Sequence, residues 1–183
     1  MKDCPQILYT TDVLPADDVT GRMSRGTQSA AATRLLEGLG GPGFVAKAHS
    51  KSHSRAAVAA AAGNMSGLML GIDIEWIAPH RPFAAIARGY LGIAVAEMEA
   101  SAFYRGWTFL EAYYKAFQRF PASTLIASAI AQDSEGAACC LDDGVYFLHR
   151  RVAELFQLCL VWRPSASEDC VPTFAPQSGR ADT

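Results

Sequence analysis

Hydrophobic and polar positions change their period several times along the chain, and each change marks an element. Residues 7 to 14, Ile-Leu-Tyr-Thr-Thr-Asp-Val-Leu, carry enough β-branched and aromatic character to predict a first strand. Polar residues 16 to 27 read as a loop. From Ser24 the chain enters an amphipathic segment, and the alanines with Leu35, Leu36 and Leu39 predict a helix over Ala30 to Leu39, stopped by Gly40, Gly41 and Pro42. Residues 55 to 62, Arg-Ala-Ala-Val-Ala-Ala-Ala-Ala, would be helical by propensity alone, since alanine ranks first. Their context predicts a strand instead: Gly63-Asn64 has turn chemistry and Leu68 to Ile74 reads as a strand, so a hairpin accounts for both sides. Within Gly71-Ile72-Asp73-Ile74-Glu75 the period of two is plain, with Asp73 and Glu75 on one face and Ile72 and Ile74 on the other.

Beyond a loop at Pro79, His80 and Pro82, Phe83 to Leu91 predicts a helix that breaks at Gly92 and resumes over Ala94 to Met98. The best helical pattern runs from about Ser101 to Phe117. Phe103, Trp107, Leu110 and Tyr114 recur there at helical spacing as one expected buried stripe, and Glu111 and Lys115 share a neighbouring face. Residues 136 to 141, 145 to 152 and 155 to 162 predict a meander of strands, with Asp142-Asp143-Gly144 as its turn. After Trp162 the chain turns polar, and residues 164 to 183 are expected to form a loose, flexible tail.

The chain of 183 residues suits one compact domain or two small halves sharing a core. Half of it is apolar and 19% is charged, which argues against global disorder. The net charge of -2, with no Lys/Arg run and no interleaved aromatics, argues against nucleic-acid binding. Cys4, Cys139, Cys140, Cys159 and Cys170 are odd in number and contain no C-x-x-C pair, so they read as buried small hydrophobes in a reducing compartment. Met1 to Pro5 has no apolar run behind it. The stretch from Ala56 to Ile72 is interrupted by Gly63, Asn64 and Ser66. No secretory signal and no membrane span are therefore expected, and the expected location is cytoplasmic.

Two neighbouring carboxylates repel, and a hard cation such as Mg2+ that takes oxygen ligands from Asp73 and Glu75 accounts for their pairing. Glu111 offers a third. Taken singly, each feature has an ordinary reading. Asp73 and Glu75 suit the wet face of a strand, Glu111 with Lys115 suits a solvated helix pair worth about 0.3–0.5 kcal/mol, and His53 suits a loop.

In combination and order, Ser52-His53-Ser54, Gly71-Ile72-Asp73-Ile74-Glu75 and Phe103-Tyr104-Arg105-x-Trp107-Thr108-x-x-Glu111-Ala112-x-x-Lys115 resemble the 4'-phosphopantetheinyl transferases of the long, pseudo-dimeric type. The resemblance spans roughly residues 25 to 163. It implies an α+β fold of two similar halves with pseudo-two-fold symmetry, each packing a long helix on a small antiparallel sheet. The implied units are a shortened N-terminal half over residues 1–70 and a C-terminal half over 71–163 that carries the metal motifs. The implied reaction moves phosphopantetheine from coenzyme A to a serine of an acyl or peptidyl carrier protein, with a monomer as the working form. The resemblance makes Asp73, Glu75 and Glu111 ligands of Mg2+ (Mn2+ would use the same oxygens). It makes Glu111 the base and Lys115 the cation that stabilises phosphate charge. Ser52 and His53 correspond to contacts to a coenzyme A phosphate, and Arg25, nine residues before Arg34, to the nucleotide end.

The sequence also departs from that family. Leu110 stands where a lysine usually precedes the second-motif glutamate, and Gly40-Gly41-Pro42 replaces a Gly-Lys-Pro whose lysine contacts coenzyme A. Gln118-Arg119-Phe120-Pro121 replaces glycines. Lys47, Lys51 or Arg55 could supply the missing charge. The competing expectation is a degenerate relative that binds a carrier protein or nucleotide without turnover.

Overall fold

Alternation along the strands sorts side chains onto two faces, and two four-stranded sheets result. The computed structural model describes residues 6–13, 24–52, 57–132, 135–141 and 144–164, together with the backbone of 173–176. The first sheet takes β1 (Gln6–Val13), β2 (Ala46–Ser52), β3 (Ala57–Gly63) and β8 (Thr173–Pro176) in the order β2-β3-β1-β8, antiparallel except where β8 runs parallel to β1. The second takes β4 (Met69–Trp76), β5 (Cys139–Cys140), β6 (Tyr146–Val152) and β7 (Phe156–Arg163) in the order β4-β7-β6-β5, antiparallel throughout. Helix α1 (Arg25–Gly38) covers the first sheet. The second is covered by α3 (Ala100–Phe117), with α4 (Ser123–Ala131) and the short α2 (Phe83–Ile86), which runs into a π-helical turn at Ala87–Leu91, packed beside it. The fold is α+β, as expected.

The strand β3 shows why the layers stack as they do. Val58, Ala60 and Ala62 face α1, while Ala57, Ala59 and Ala61 join Ile7 and Tyr9 against Ile72, Ile74, Leu158, Leu160 and Trp162 of the second sheet. All seven residues of β3 are buried. Methyl-sized side chains leave room for large partners on both sides, which is how a helix-propensity sequence becomes a central strand: close packing in the interior outweighs a local preference of less than about 1 kcal/mol per residue. On the far face of the second sheet, Phe147, Cys159 and Val161 meet Phe103, Phe109 and Tyr113 of α3.

Several expectations need correction. Strands β3 and β4 both form, but they do not make a hairpin. β3 pairs with β1 and β2, and β4 pairs with β7, so the chain crosses from one sheet to the other after Gly63. Face-to-face burial of Ile72 and Ile74 against the first sheet takes the place of edge pairing. The first helix starts at Arg25, inside the expected loop, because the Ser24 hydroxyl caps it by accepting from Thr27 N at 3.1 Å. Residues 94–98 are not helical. Gly92, at φ 67°, caps the π-helical turn, and Ile93 and Met98 pack on the core from an irregular segment. β2 and α4 were not expected, and only Cys139–Cys140 of 136–141 is strand. Thr173–Pro176, within the expected loose tail, forms β8. The expected stripe holds at Phe103 and Leu110, which are buried, and at Trp107, which packs on the core, but not at Tyr114, which is exposed and stacks on Phe120; Tyr104, Phe109 and Tyr113 are buried as well because α3 is covered by α4 as well as by the sheet. Of the cysteines, Cys159 is buried, Cys139 is intermediate and Cys140 is exposed, so burial holds for only one of the three described; Cys4 and Cys170 lie outside the described residues. No described helix is long and apolar enough to cross a membrane.

Candidate functional site

The site begins with a glycine. Helix α3 lies so close to β4 at Gly71 that a Cβ there would collide with the carbonyl oxygen of Ala112 and the amide nitrogen of Ala116. Only hydrogen fits. Glu111 and Lys115 each precede one of those two alanines, and Asp73 is the next residue on the same face of β4. The close approach therefore brings the two acidic motifs together.

The other wall comes from β2, the edge strand of the first sheet, which lies beside β4, the edge strand of the second. Side chains stitch the two. Ser50 Oγ donates to Asp73 Oδ1 at 2.7 Å, and Trp76 N donates to Ser52 Oγ at 3.0 Å. A longer contact of 3.5 Å joins Ser52 Oγ to Glu75 Oε2. Lys115 Nζ donates to Asp73 Oδ1 at 2.7 Å, Ser50 Oγ at 2.8 Å and the Ile72 carbonyl at 3.2 Å. These three acceptors match the three N–H bonds of an ammonium group.

Between the walls lies a pocket of about 290 Å³. β2 lines it with His49, Ser50 and Lys51, β4 with Asp73 and Glu75, and α3 with Glu111 and Lys115. Asp73 is only 3% exposed, and its Oδ2 is buried with no hydrogen-bond partner among the described residues. Burial, and then the charge of Asp73, push Glu75 up to about 8; Glu111 adds to the rise, while Lys115 and Arg81 oppose it. The Glu111 carboxyl is also raised, by burial first and by Asp73 second. Across the pocket, burial followed by the charges of Lys115 and Lys51 lowers the His49 imidazole. Three carboxylates thus crowd one another on β4 and α3, with Lys115 among them and Lys51 on β2.

Hard oxygen donors and the unsatisfied Oδ2 of Asp73 suit a divalent cation such as Mg2+, which would relieve the repulsion among Asp73, Glu75 and Glu111. Among the described residues, however, no three His, Cys, Asp or Glu side chains are already gathered at ligating distance. Lys115 instead serves as counter-ion to Asp73.

Of the residues singled out from sequence, Asp73, Glu75, Glu111 and Lys115 line one pocket. Ser52 is fully buried, with its hydroxyl tied to β4. Arg25 opens α1 at an exposed position and is not part of the lining; Arg34 is exposed further along the same helix. His53 and Arg55 lie outside the described residues. Leu110 is buried in the core. Of the candidate replacement cations, Lys51 lines the pocket whereas Lys47 is exposed beyond it. His49 and Ser50 were missed. The available signal was the alternation of Ser50 and Ser52, which matches that of Asp73 and Glu75. A scan against protein-family models found no match to the chain, and a search of curated proteins found none either.

Proposed function

We propose that this protein transfers 4'-phosphopantetheine from coenzyme A to a serine hydroxyl of an acyl or peptidyl carrier protein, using Mg2+ or, with the same ligands, Mn2+. The supporting observation is that Asp73, Glu75, Glu111 and Lys115, from two motifs far apart in sequence, line one pocket in which a buried carboxylate oxygen has no partner among the described residues. A Mg2+ held by the three carboxylates would neutralise charge on the diphosphate. Ser50 and Lys115 hold Asp73 in place. Glu111, whose basicity is raised by burial and by Asp73, accepts the proton of the attacking serine. The serine oxygen forms a bond to phosphorus as the P–O bond to departing adenosine 3',5'-bisphosphate breaks. The same reading gives His53 to a coenzyme A phosphate and Arg25 to the nucleotide end, whereas Ser52, fully buried with its hydroxyl tied to β4, serves to hold that strand rather than to meet the ligand. It also makes residues 1–70 and 71–163 pseudo-two-fold halves, each a helix on a sheet, of a cytoplasmic monomer.

The second reading, binding without turnover, is favoured by Leu110 in the core and by Lys115 as a built-in counter-ion of Asp73. Intact mass of an apo carrier protein incubated with coenzyme A and Mg2+ separates the two. Addition of phosphopantetheine by wild type but not by folded Asp73→Asn supports transfer. Unmodified carriers, in a mixture that a known transferase modifies, favour binding alone.

A further inference from the structure

The pocket holds more cationic groups than its carboxylates use. Lys115 is the obvious anion ligand on position alone, yet its ammonium already serves Asp73, Ser50 and the Ile72 carbonyl, which accounts for all its N–H bonds. Binding a phosphate through Lys115 would strip a buried carboxylate of its ion-pair partner. Lys51 is differently placed. Its Nζ donates to Ser29 Oγ of α1 at 2.6 Å, a bond that aims the side chain while, among the described residues, leaving two N–H bonds for a ligand. It lines the β2 side of the pocket together with His49, whose imidazole is lowered by burial first and by the charges of Lys115 and Lys51 after it.

We propose that Lys51, oriented by Ser29 and assisted by His49, is the phosphate-binding residue of this pocket, and that Lys115 is a positioning residue that holds Asp73. The ligand class is a phosphate or diphosphate bound between this β2 side and a divalent cation on the carboxylates. Its identification with the diphosphate of coenzyme A rests on the function proposed above. A strand residue with no place in the acidic motifs thereby supplies the charge that Leu110 and Gly41 do not.

Calorimetric titration with inorganic pyrophosphate and Mg2+, and then with coenzyme A, tests the assignment on wild type, Lys51→Met, Lys51→Arg, Lys47→Met and Lys115→Met, each checked by thermal unfolding. Lys51→Met should bind both ligands about tenfold or more weakly, as expected for loss of a charge-assisted bond, without a drop in Tm. Lys51→Arg should recover much of the affinity and Lys47→Met should match wild type. Lys115→Met should lower Tm. Wild-type affinity in Lys51→Met, or no pyrophosphate binding by wild type, overturns the proposal. Lys51-dependent binding without any carrier modification leaves it standing and removes the transferase reading. Carrier modification with an unchanged coenzyme A requirement in Lys51→Met does the reverse.

Discussion

Glu75 carries the clearest single-residue consequence. Its carboxyl titrates near 8 when folded, against 4.5 for an unperturbed glutamate, so the folded chain holds this proton more tightly than the unfolded one. The resulting stability is fully present below the unfolded pKa and is lost as pH rises through about 8. Urea unfolding should therefore show wild type losing stability relative to Glu75→Gln between pH 5 and pH 9, and Mg2+ at the upper end should narrow the gap. A flat difference across that range would contradict the raised carboxyl. Lys115 provides a second test. Lys115→Met leaves Asp73 buried without its ion pair, and because Lys115 is itself about one-third exposed the expected cost is about 1.5–3 kcal/mol. The double variant Lys115→Met, Asp73→Asn should recover part of it. At this scale the acidic residues were legible because alternation and motif order point to them. Ser50 and His49 were not: the alternation of Ser50 with Ser52 sits in a segment too polar to announce a strand, and it points to Asp73 and Glu75 only once the second strand is laid against it.

Between elements, the contact of α3 with β4 decides whether the site exists. Gly71→Ala would push a methyl into the backbone of α3, which cannot rotate away as a side chain can, and should destabilise by about 3 kcal/mol or more. Gly38→Ala, at a helical position with nothing within 4 Å, should be neutral or stabilising by up to about 0.5–1 kcal/mol. Paired denaturation curves check both. If Gly71→Ala matched Gly38→Ala, the close approach of helix and strand would be wrong. Element type was readable wherever one period dominated, as in β1, β4, α3, β6 and β7. It failed for β2, whose Lys, His and Ser residues offer no apolar face, and for the polar first turn of α1, which only the Ser24 cap announces. Local reading also paired the wrong strands and misplaced the turn: Gly63 is still paired within β3, the chain turns at Ser66-Gly67, where Leu68 N donates to the Met65 carbonyl, and it then enters a different sheet.

Over the whole molecule, four layers run helix, sheet, sheet, helix, and the site sits where an edge strand of one sheet meets an edge strand of the other. The first sheet is closed on its far side by β8 against β1. Ending the chain at Pro164 should leave β1 with an unpaired edge, lowering Tm and promoting concentration-dependent association, which light scattering would detect; an unchanged Tm would mean that β8 contributes nothing to the sheet. The sequence by itself determined the α+β class, the opposite faces of Asp73/Glu75 and Ile72/Ile74, and the helix bearing Glu111 and Lys115, because periods of 2 and 3.6 are properties of a single segment. Tertiary structure alone decided that β3 and β4 part into different sheets, that Ser50 and Lys51 join the acidic residues, and that Lys115 pairs with Asp73. Those outcomes depend on side-chain volume and charge in elements tens of residues apart, and no local period encodes them.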